Sequence, residues 1–335
     1  MSKPIIGITM GDAAGIGPEI TAKAYKNANI ESYCRPFVLG DAKIMRKACE
    51  LAASGFGVRS IGSVEDIELD GRTINVLDYD DIDADSMKPG VVDPMCGRAA
   101  VKYTIEAGNL AVARKIDAMV SAPRNKEAMR MAGYDYEGQT EILGRLTGSK
   151  NYGMVLVLGN LRIMMYTTHM SLRDACDAVK RDKIIRKVEL ADSSLKFCGI
   201  ESPRIAVSAL NPHAGEGGLF GREEIDEIIP AVEDLASRGI NVTGPIPADT
   251  VFVKANEGEY DLVLAMFHDQ ANIVMKILKF GDVVTLLAGL PIIRTSVGHG
   301  TAFDIAWKGV ANERNLAEAI RVASEMALLS SSASK

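Results

Sequence analysis

Three of the four histidines in this 335-residue chain follow apolar runs that are typical of buried strands. They are His169 after residues 161–166, His213 after residues 205–210 and His268 after residues 262–267. Open α/β sheets place their chemistry at the carboxyl ends of strands, where such imidazoles would meet. Imidazole is the commonest metal-binding side chain, and three nitrogen ligands with an open position are typical of catalytic sites. The wide spacing matches no short zinc motif, so hydrogen-bonded structural histidines are an equal alternative from the residues alone.

The stretch 262–312 carries other groups that could do chemistry. Asp269 adjoins His268, and the cations Lys276 and Arg294 stand on either side of a second apolar run. The glycine-rich segment after them lets backbone approach a ligand closely, and its aspartate can accept hydrogen bonds from a ribose or an adenine edge. The stretch therefore predicts a binding loop close to charged substrate contacts.

Alternating elements must position these groups. Apolar strand-like runs and segments of helical periodicity follow one another up to a last helix at 312–329, before a Ser/Ala tail. This alternation indicates an α/β fold. Residues 152–158 and 161–166 predict a hairpin, and residues 171–197 predict one long helix.

The first predicted strand, Pro4–Met10, runs directly into the glycine-rich loop Gly11–Glu19 and then into a helix. Helix N-termini attract anions, so this loop could bind a nucleotide phosphate. Its spacing matches neither the dinucleotide nor the P-loop motif, and Asp12 and Glu19 make it acidic. A tight turn that packs the helix onto the sheet is at least as good an interpretation.

The composition is that of an ordinary globular protein, with 47% hydrophobic and 24% charged residues. A net charge of −6 gives no sign of the basic face that is typical of nucleic-acid binders. The five cysteines form no CxxC pair, which favours free thiols in a reducing compartment. Because no signal-peptide pattern and no membrane-length apolar run occur, we expect a cytoplasmic protein that binds neither membrane nor nucleic acid.

Several segments together resemble one family along nearly the whole chain. They are GDAAGIGPE at 11–19, TH at 168–169, NPHAGE at 211–216, HDQ at 268–270, and RTS at 294–296 with HGTA at 299–302. On these segments the sequence is similar to the 4-hydroxythreonine-4-phosphate dehydrogenase (PdxA) family of pyridoxal phosphate biosynthesis. Segment 299–312 is also similar to the NAD-binding loop of isocitrate and isopropylmalate dehydrogenases.

The resemblance implies an isocitrate/isopropylmalate dehydrogenase-like fold, in which two α/β domains flank a cleft. The first domain would comprise residues 1–127 plus 280–335 and would carry both termini and the NAD loop. The second would comprise residues 128–279 and would carry the metal ligands. It would also form the interface of a homodimer, at which the active sites lie.

The resemblance also assigns roles to individual residues. The implied ligands of one divalent metal ion, Zn, Co, Mg, Mn, Ni or Fe, are His169, His213 and His268, one of them supplied by the partner subunit. The implied substrate-binding residues are Gln139, Thr140, Lys276, Thr285 and Arg294. The implied NAD-binding residues are Gly298, His299, Gly300, Thr301 and Asp304, and the implied catalytic residues are Lys276, His213 and Asp269.

Three positions depart from the family's pattern. Gln139 stands where the family has histidine, Thr285 where it has asparagine, and Gly298 where it has aspartate. Gln139 keeps a donor and an acceptor without a titratable group, whereas Thr285 has a shorter reach than asparagine. These departures favour the branch that oxidises 4-phospho-D-threonate or 4-phospho-D-erythronate over 4-phosphohydroxy-L-threonine. A cis-dihydrodiol carboxylate dehydrogenase and a non-catalytic metabolite sensor are further alternatives.

The implied reaction is a metal-dependent, NAD-linked oxidation of a phosphorylated four-carbon 3-hydroxy acid to a 3-keto acid, followed by decarboxylation. The metal would lower the pKa of the substrate hydroxyl and then stabilise the enolate. Lys276 would act as a general acid or pair with the small anionic substrate. The sequence leaves open which metal is bound and whether NADP replaces NAD.

Overall fold

The structure is a computed structural model that describes residues 2–136, 138–279 and 281–333. Its strands, numbered in chain order, are β1 (Ile5–Thr9), β2 (Arg35–Gly40), β3 (Gly57–Ile61), β4 (Thr73–Asp78), β5 (Ala118–Ser121), β6 (Gly153–Leu158), β7 (Leu161–Met165), β8 (Ile205–Ser208), β9 (Val242–Ile246), β10 (Leu262–Ala265), β11 (Val284–Ala288) and β12 (Arg294–Val297). Its α-helices are α1 (Gly17–Asn27), α2 (Ala42–Ala52), α3 (Pro94–Val112), α4 (Lys126–Met131), α5 (Gln139–Thr147), α6 (Leu172–Ala178), α7 (Arg181–Phe197), α8 (Ile229–Ser237), α9 (Ala248–Asn256), α10 (His268–Lys279) and α11 (Arg314–Ala333). The α/β class predicted from the sequence is confirmed.

The chain divides into two compact units, and the first comprises Met1–Lys150 with Leu290–Ser331. Its strands are all parallel, in the order β3-β4-β2-β1-β5-β12. The apolar strand β1 is almost completely buried, as central parallel strands usually are. Helix α3 packs against α4 and α5 through Val101, Met129 and Ile142. For this reason residues 128–150, which the resemblance assigned to the second domain, lie in the first unit.

The second unit comprises Asn151–Gly289, with strand order β11-β6-β7-β10-β8-β9. β6 runs antiparallel to both β11 and β7, and the other neighbouring pairs are parallel. β6 and β7 form the predicted hairpin, in which Gly159 adopts a φ of 55° in the two-residue turn. The core of this unit includes Leu161, Ile163, Ala206, Val251, Phe252, Val263 and Ala265.

The glycine-rich loop 11–19 is a packing element. A Cβ at Gly11 would lie 2.3 Å from the carbonyl oxygen of Pro123, and a Cβ at Gly17 would lie 2.3 Å from that of Met10. Backbone approaches this close exclude any side chain at the two glycines. The whole loop is buried, so these contacts favour the tight-turn interpretation over a phosphate loop.

Asp12 in this loop predicts a pH-dependent stability. It is fully buried, and burial raises the pKa of its carboxyl to about 6. One carboxylate oxygen accepts a hydrogen bond from the Ala14 amide at 2.9 Å, and the other has no partner among the described residues. Because this pKa lies above the unfolded value of ~3.9, ionisation of Asp12 destabilises the fold increasingly from about pH 4 to pH 6 and constantly above.

We therefore expect Asp12→Asn to raise the free energy of unfolding by about 1–2 kcal/mol at pH 8 and to leave it unchanged near pH 4. Asparagine keeps an acceptor for the Ala14 amide and carries no charge. Denaturant unfolding of both proteins at the two pH values measures the difference. An equal effect at both pH values would show that burial of the charge is not its cause.

Two helix predictions were wrong in their bounds. Residues 171–197 form α6 and α7, because the Tyr166 hydroxyl donates to the Ala178 carbonyl and accepts from the Lys180 amide at the break between them. Helix α11 continues through the predicted Ser/Ala tail to Ala333, since serines there bond within the helix, as Ser331 does to the carbonyl of Leu328. No helix in the described part of the chain is long and apolar enough to cross a membrane.

Candidate active site

His169 and His268 come together in the second unit. Parallel pairing sets Ala265 of β10 opposite Met165 of β7, so the residues that follow both strands leave the sheet at one edge. The two ring centroids are 5.8 Å apart, with their planes tilted by 43°. A metal–nitrogen bond of ~2.1 Å and about 1.1 Å more to the ring centre put each centroid ~3.2 Å from a shared ion, so this separation suits one metal. The rings line a cavity of about 260 Å³ together with Thr168, Met170, Leu172, Ala175, Phe267 and Asp269.

His268 is fixed by its neighbours at the start of α10. Its Nδ1 lies 2.7 Å from a carboxylate oxygen of Asp269, which leaves Nε2 available to a metal ion. The Gln270 side chain accepts from the Met266 amide at 2.7 Å and donates to the Ala209 carbonyl at 3.0 Å. The start of α10 is thereby tied to the end of β8. Carboxylates commonly orient metal-binding imidazoles in this way, so Asp269 acts on His268 in this geometry.

His213 lies in a left-handed turn, residues 212–218, that follows β8. His213, Ala214 and Glu216 have φ values of 52°, 55° and 45°. Each such conformation costs a non-glycine residue about 1–2 kcal/mol, and strain of this kind is concentrated at functional sites. The imidazole is exposed, and its Nδ1 lies 3.4 Å from the Glu216 carboxylate. The turn thus presents His213 outward at a cost in backbone energy.

Glu224 holds the base of this turn. Its buried carboxylate accepts from the amides of Leu210 and Asn211 at 2.9 and 2.7 Å and from the Asn211 side chain at 2.8 Å. Sequence reasoning missed Glu224, which fell inside a stretch of ordinary helical pattern. The only available signal was an acidic residue just after a glycine-dense loop, which many surface helices share.

The described residues contain no group of three His, Cys, Asp or Glu side chains placed to share a metal ion. His213 is not among the residues that line the cavity of His169 and His268. One chain therefore brings together two of the three predicted imidazoles. These two imidazoles, with Asp269 behind His268, fit a divalent cation as part of its ligand set.

Arg294 forms the centre of a second site, which lies within the first unit. It begins β12 and is 4% exposed. Its Nε donates to the Ser121 hydroxyl at 3.1 Å, and its Nη2 donates to the side-chain oxygen of Gln139. Burial, together with the charge of nearby Arg124, lowers the pKa of the Arg294 guanidinium to about 9, so it is still charged at neutral pH. A buried cation whose partners among the described residues are all neutral attracts an anion.

The orientation of Gln139 follows from its other partner. The Thr104 hydroxyl donates to the Ala100 carbonyl at 2.9 Å, so its oxygen is left to accept from the Gln139 Nε2 at 3.4 Å. The amide oxygen of Gln139 must then face Arg294. Glutamine thus supplies the acceptor that orients the guanidinium and adds no charge of its own.

Arg124 also belongs to this region, and sequence reasoning missed it. It follows β5 in the turn before α4, and its charge acts on Arg294. Its Nη1 lies 3.6 Å from the Met129 sulfur, and its Nε is buried without a partner among the described residues. Burial lowers the pKa of Arg124 to about 10. A single arginine in a turn has no motif; its position after a parallel strand was the only signal.

The predicted cofactor loop follows β12 in the first unit. Gly298, His299 and Gly300 are exposed, and a Cβ at Gly300 would meet nothing within 4 Å. The Gly298 amide donates to the Asn315 side chain at 2.7 Å, and the His299 Nδ1 lies 3.0 Å from the Gly300 carbonyl oxygen. Asp304 is exposed further along the loop. An open glycine segment followed by an accessible carboxylate suits a dinucleotide.

The far part of this loop is bonded to the N-terminal segment. Thr301 is buried, its carbonyl accepts from the Ile16 amide at 3.0 Å, and its side chain packs where a Cβ at position 15 would stand. The buried Glu19 carboxylate accepts from the amides of residues 311 and 309 at 2.8 and 3.3 Å. Lys23 donates to the carbonyls of the same two residues at 2.6 and 2.9 Å. Residues 301, 309 and 311 are therefore fixed by hydrogen bonds to residues 16–23.

The remaining predicted substrate residues are distributed over both units. Thr140 lies in the first turn of α5, directly after Gln139. Lys276 is exposed on α10, and Thr285 is partly exposed on β11 opposite Leu156. The structure therefore joins Gln139 with Arg294, and it joins His169 with His268.

Comparison with known proteins identifies the family of the chain. The family model described as pyridoxal phosphate biosynthetic protein PdxA matches residues 32–323. A D-threonate 4-phosphate dehydrogenase from Cupriavidus necator is 45% identical over 325 residues, which cover 97% of each chain. One from Pectobacterium atrosepticum is 44% identical over 328 residues, covering 98% of this chain and 100% of the other. The crystal structure of a 4-hydroxythreonine-4-phosphate dehydrogenase from Burkholderia phymatum superposes with a TM-score of 0.89 at 44% identity, covering 97% and 99% of the two chains. The chain therefore belongs to the PdxA family.

Proposed function

We propose that this chain is an NAD-linked dehydrogenase of a phosphorylated four-carbon 3-hydroxy acid, with 4-phospho-D-threonate preferred and 4-phospho-D-erythronate next. The observation that carries the proposal is the buried Arg294 cation, which is held by neutral Ser121 and Gln139 and suits an anionic group of a small substrate. The relatives named D-threonate 4-phosphate dehydrogenase, at 45% and 44% identity, support the choice of sugar acid.

We assign His169 and His268, with His213 of the partner subunit, as the ligands of one divalent metal ion. Bound there, the ion would supply Lewis acidity, which lowers the pKa of a substrate hydroxyl and stabilises enolate charge. Asp269 would hold the His268 ring in the tautomer that presents Nε2. Imidazole ligands suit Zn, Co, Ni and Fe better than Mg or Mn.

The chain's other groups then have distinct tasks. Arg294 and Gln139 hold an anionic end of the substrate, which fixes the position of its C3 carbon. The loop 298–304 would hold NAD, which would supply the acceptor for the hydride that leaves C3. Loss of carbon dioxide from the resulting 3-keto acid leaves an enolate, and Lys276 is the candidate that donates the proton to give a three-carbon keto phosphate.

The assignment of His213 to the metal site of the partner subunit requires a homodimer, and the surface of α10 supports one. Ile273 and Ile277 on α10 are 55% and 78% exposed, and Lys276 shares their face of the helix. Exposed apolar clusters of this kind mark surfaces that another protein covers. A second copy on this face would bury the two isoleucines and would bring Lys276 to the partner subunit.

The test is NADH formation with 4-phospho-D-threonate, 4-phospho-D-erythronate and 4-phosphohydroxy-L-threonine side by side, with and without added divalent metal. We expect metal-dependent turnover of the sugar acid phosphates and a three-carbon keto phosphate as the product. Turnover of the amino substrate alone would support 4-phosphohydroxy-L-threonine oxidation, the second candidate, which the name of the Burkholderia phymatum structure favours. No turnover of any of the three would contradict the proposal.

A further inference from the structure

We propose that Arg124 is a second guanidinium of the anion site formed by Arg294 and Gln139, and that it makes this site selective for a phosphate ester over a carboxylate. The inference rests on the function proposed above, because it identifies which anionic end of the substrate the site takes. It also names as specificity-determining a residue that lies outside the segments on which the resemblance rests.

The charge of the site is the first argument. Arg124 and Arg294 are near enough that the charge of one lowers the pKa of the other. Their side-chain partners are Ser121, Gln139 and Met129, which are all neutral, and no carboxylate among the described residues pairs with either guanidinium. Two like charges repel strongly where water is excluded. A doubly charged ligand neutralises both, whereas a carboxylate leaves one positive charge uncompensated.

The unused donors are the second argument. Arg294 uses Nε and Nη2 on Ser121 and Gln139, and no described protein group accepts from its Nη1. Within the described parts of the chain, Arg124 has a buried Nε without a partner and one weak contact, to the Met129 sulfur. Arginine forks bind phosphate oxygens in pairs, and three phosphate oxygens can serve two forks at once. The two oxygens of a carboxylate are fully used by one fork.

The start of α5 is the third argument. Helix α5 has nine residues, and its N-cap Gly138 provides no side-chain cap for the first amides. A Cβ at Gly138 would lie 3.4 Å from the Arg124 Nη2, so the guanidinium rests directly beside the helix start. Helix N-termini carry partial positive charge and commonly bind phosphate. The start of α5 and both guanidiniums therefore all favour a phosphate group as the ligand.

The experiment measures binding of inorganic phosphate and of acetate at pH 8 by calorimetry, without NAD or substrate. The proteins are the wild type, Arg124→Met, and Arg130→Met as the matched control, since Arg130 is exposed on α4 nearby. We expect the wild type and Arg130→Met to bind phosphate well and acetate weakly. Arg124→Met should bind phosphate about 10- to 100-fold more weakly, the loss expected when one partner's charge-assisted hydrogen bonds are removed.

Unchanged phosphate binding by Arg124→Met would overturn the proposal, and so would acetate binding as tight as that of phosphate in the wild type. Thermal unfolding without ligand establishes that the variant is folded, and loss of the arginine repulsion should leave it at least as stable as the wild type. The readout is independent of turnover. If phosphate selectivity holds while none of the three substrates is oxidised, the proposed function fails and the anion site stands.

Discussion

His213→Ala is expected to lower turnover by at least about 10³-fold while the melting temperature changes by no more than about 2 °C. The imidazole is exposed, and its one polar contact with the residues that the structure describes is with Glu216, so its loss removes little that stabilises the fold. His213 is assigned as a ligand of the metal ion that the histidine pair of the partner subunit holds, and not of the ion held by the pair in its own chain. Steady-state kinetics, thermal unfolding and metal content of the purified variant check the three parts of this expectation.

The shared site gives a sharper version of the test. A dimer of one His213→Ala chain and one His169→Ala chain would have one site with both changes and one site with neither. Mixing the two inactive proteins under conditions that exchange subunits should restore up to about a quarter of wild-type activity, because half of the dimers are hybrids with one intact site of two. If the exchanged mixture stays inactive, His213 does not serve the partner's site.

Gln139→Glu is expected to stabilise the protein and to weaken substrate binding. A carboxylate at this position would pair with buried Arg294, whose present partners are neutral. It would raise the melting temperature by a few degrees, since a buried charge gains a partner. The same carboxylate would compete with the substrate's anionic group, and KM should rise by about 100-fold. Thermal unfolding and steady-state kinetics measure the two effects separately.

Gln139→Leu is the matched control for this variant. Leucine removes the acceptor for Arg294 without adding charge, so both stability and substrate affinity should fall. The two variants are thus expected to move the melting temperature in opposite directions and KM in the same direction. A Gln139→Glu protein with unchanged stability and unchanged KM would show that Arg294 already has a compensating anion.

The inner strands could be predicted from the sequence, whereas the outer ones could not. β1 and β10 are continuous apolar runs because parallel strands are buried on both faces. β3 and β9 were not predicted, and each lies at the end of the strand order in its unit. Only one of the five residues of β3 is buried, which weakens its apolar pattern, and β9 contains Pro245, which edge strands tolerate.

The candidate site could be predicted only where it depends on strand ends. His169 and His268 meet because β7 and β10 are parallel neighbours, and apolar runs before both residues indicated this. The left-handed turn at His213 depends on Glu224, a helical residue without a motif. Arg124 has no periodic signal either. In the proposed site the third metal ligand comes from a second copy of the chain, whose position the sequence of one copy does not specify.

The hydrogen bonds of buried Glu19 also link the ordering of the proposed NAD loop to the order in which the chain is made. The amide of Ala311 bonds to Glu19 across 292 residues, and Lys23 reaches the same segment from the next turn of α1. During synthesis the first helix leaves the ribosome long before the loop that satisfies its carboxylate. Until then Glu19 has no buried partner there, and the loop has no regular structure of its own to adopt. The segment that follows the proposed NAD loop can therefore bond to α1 only after about nine tenths of the chain has been made.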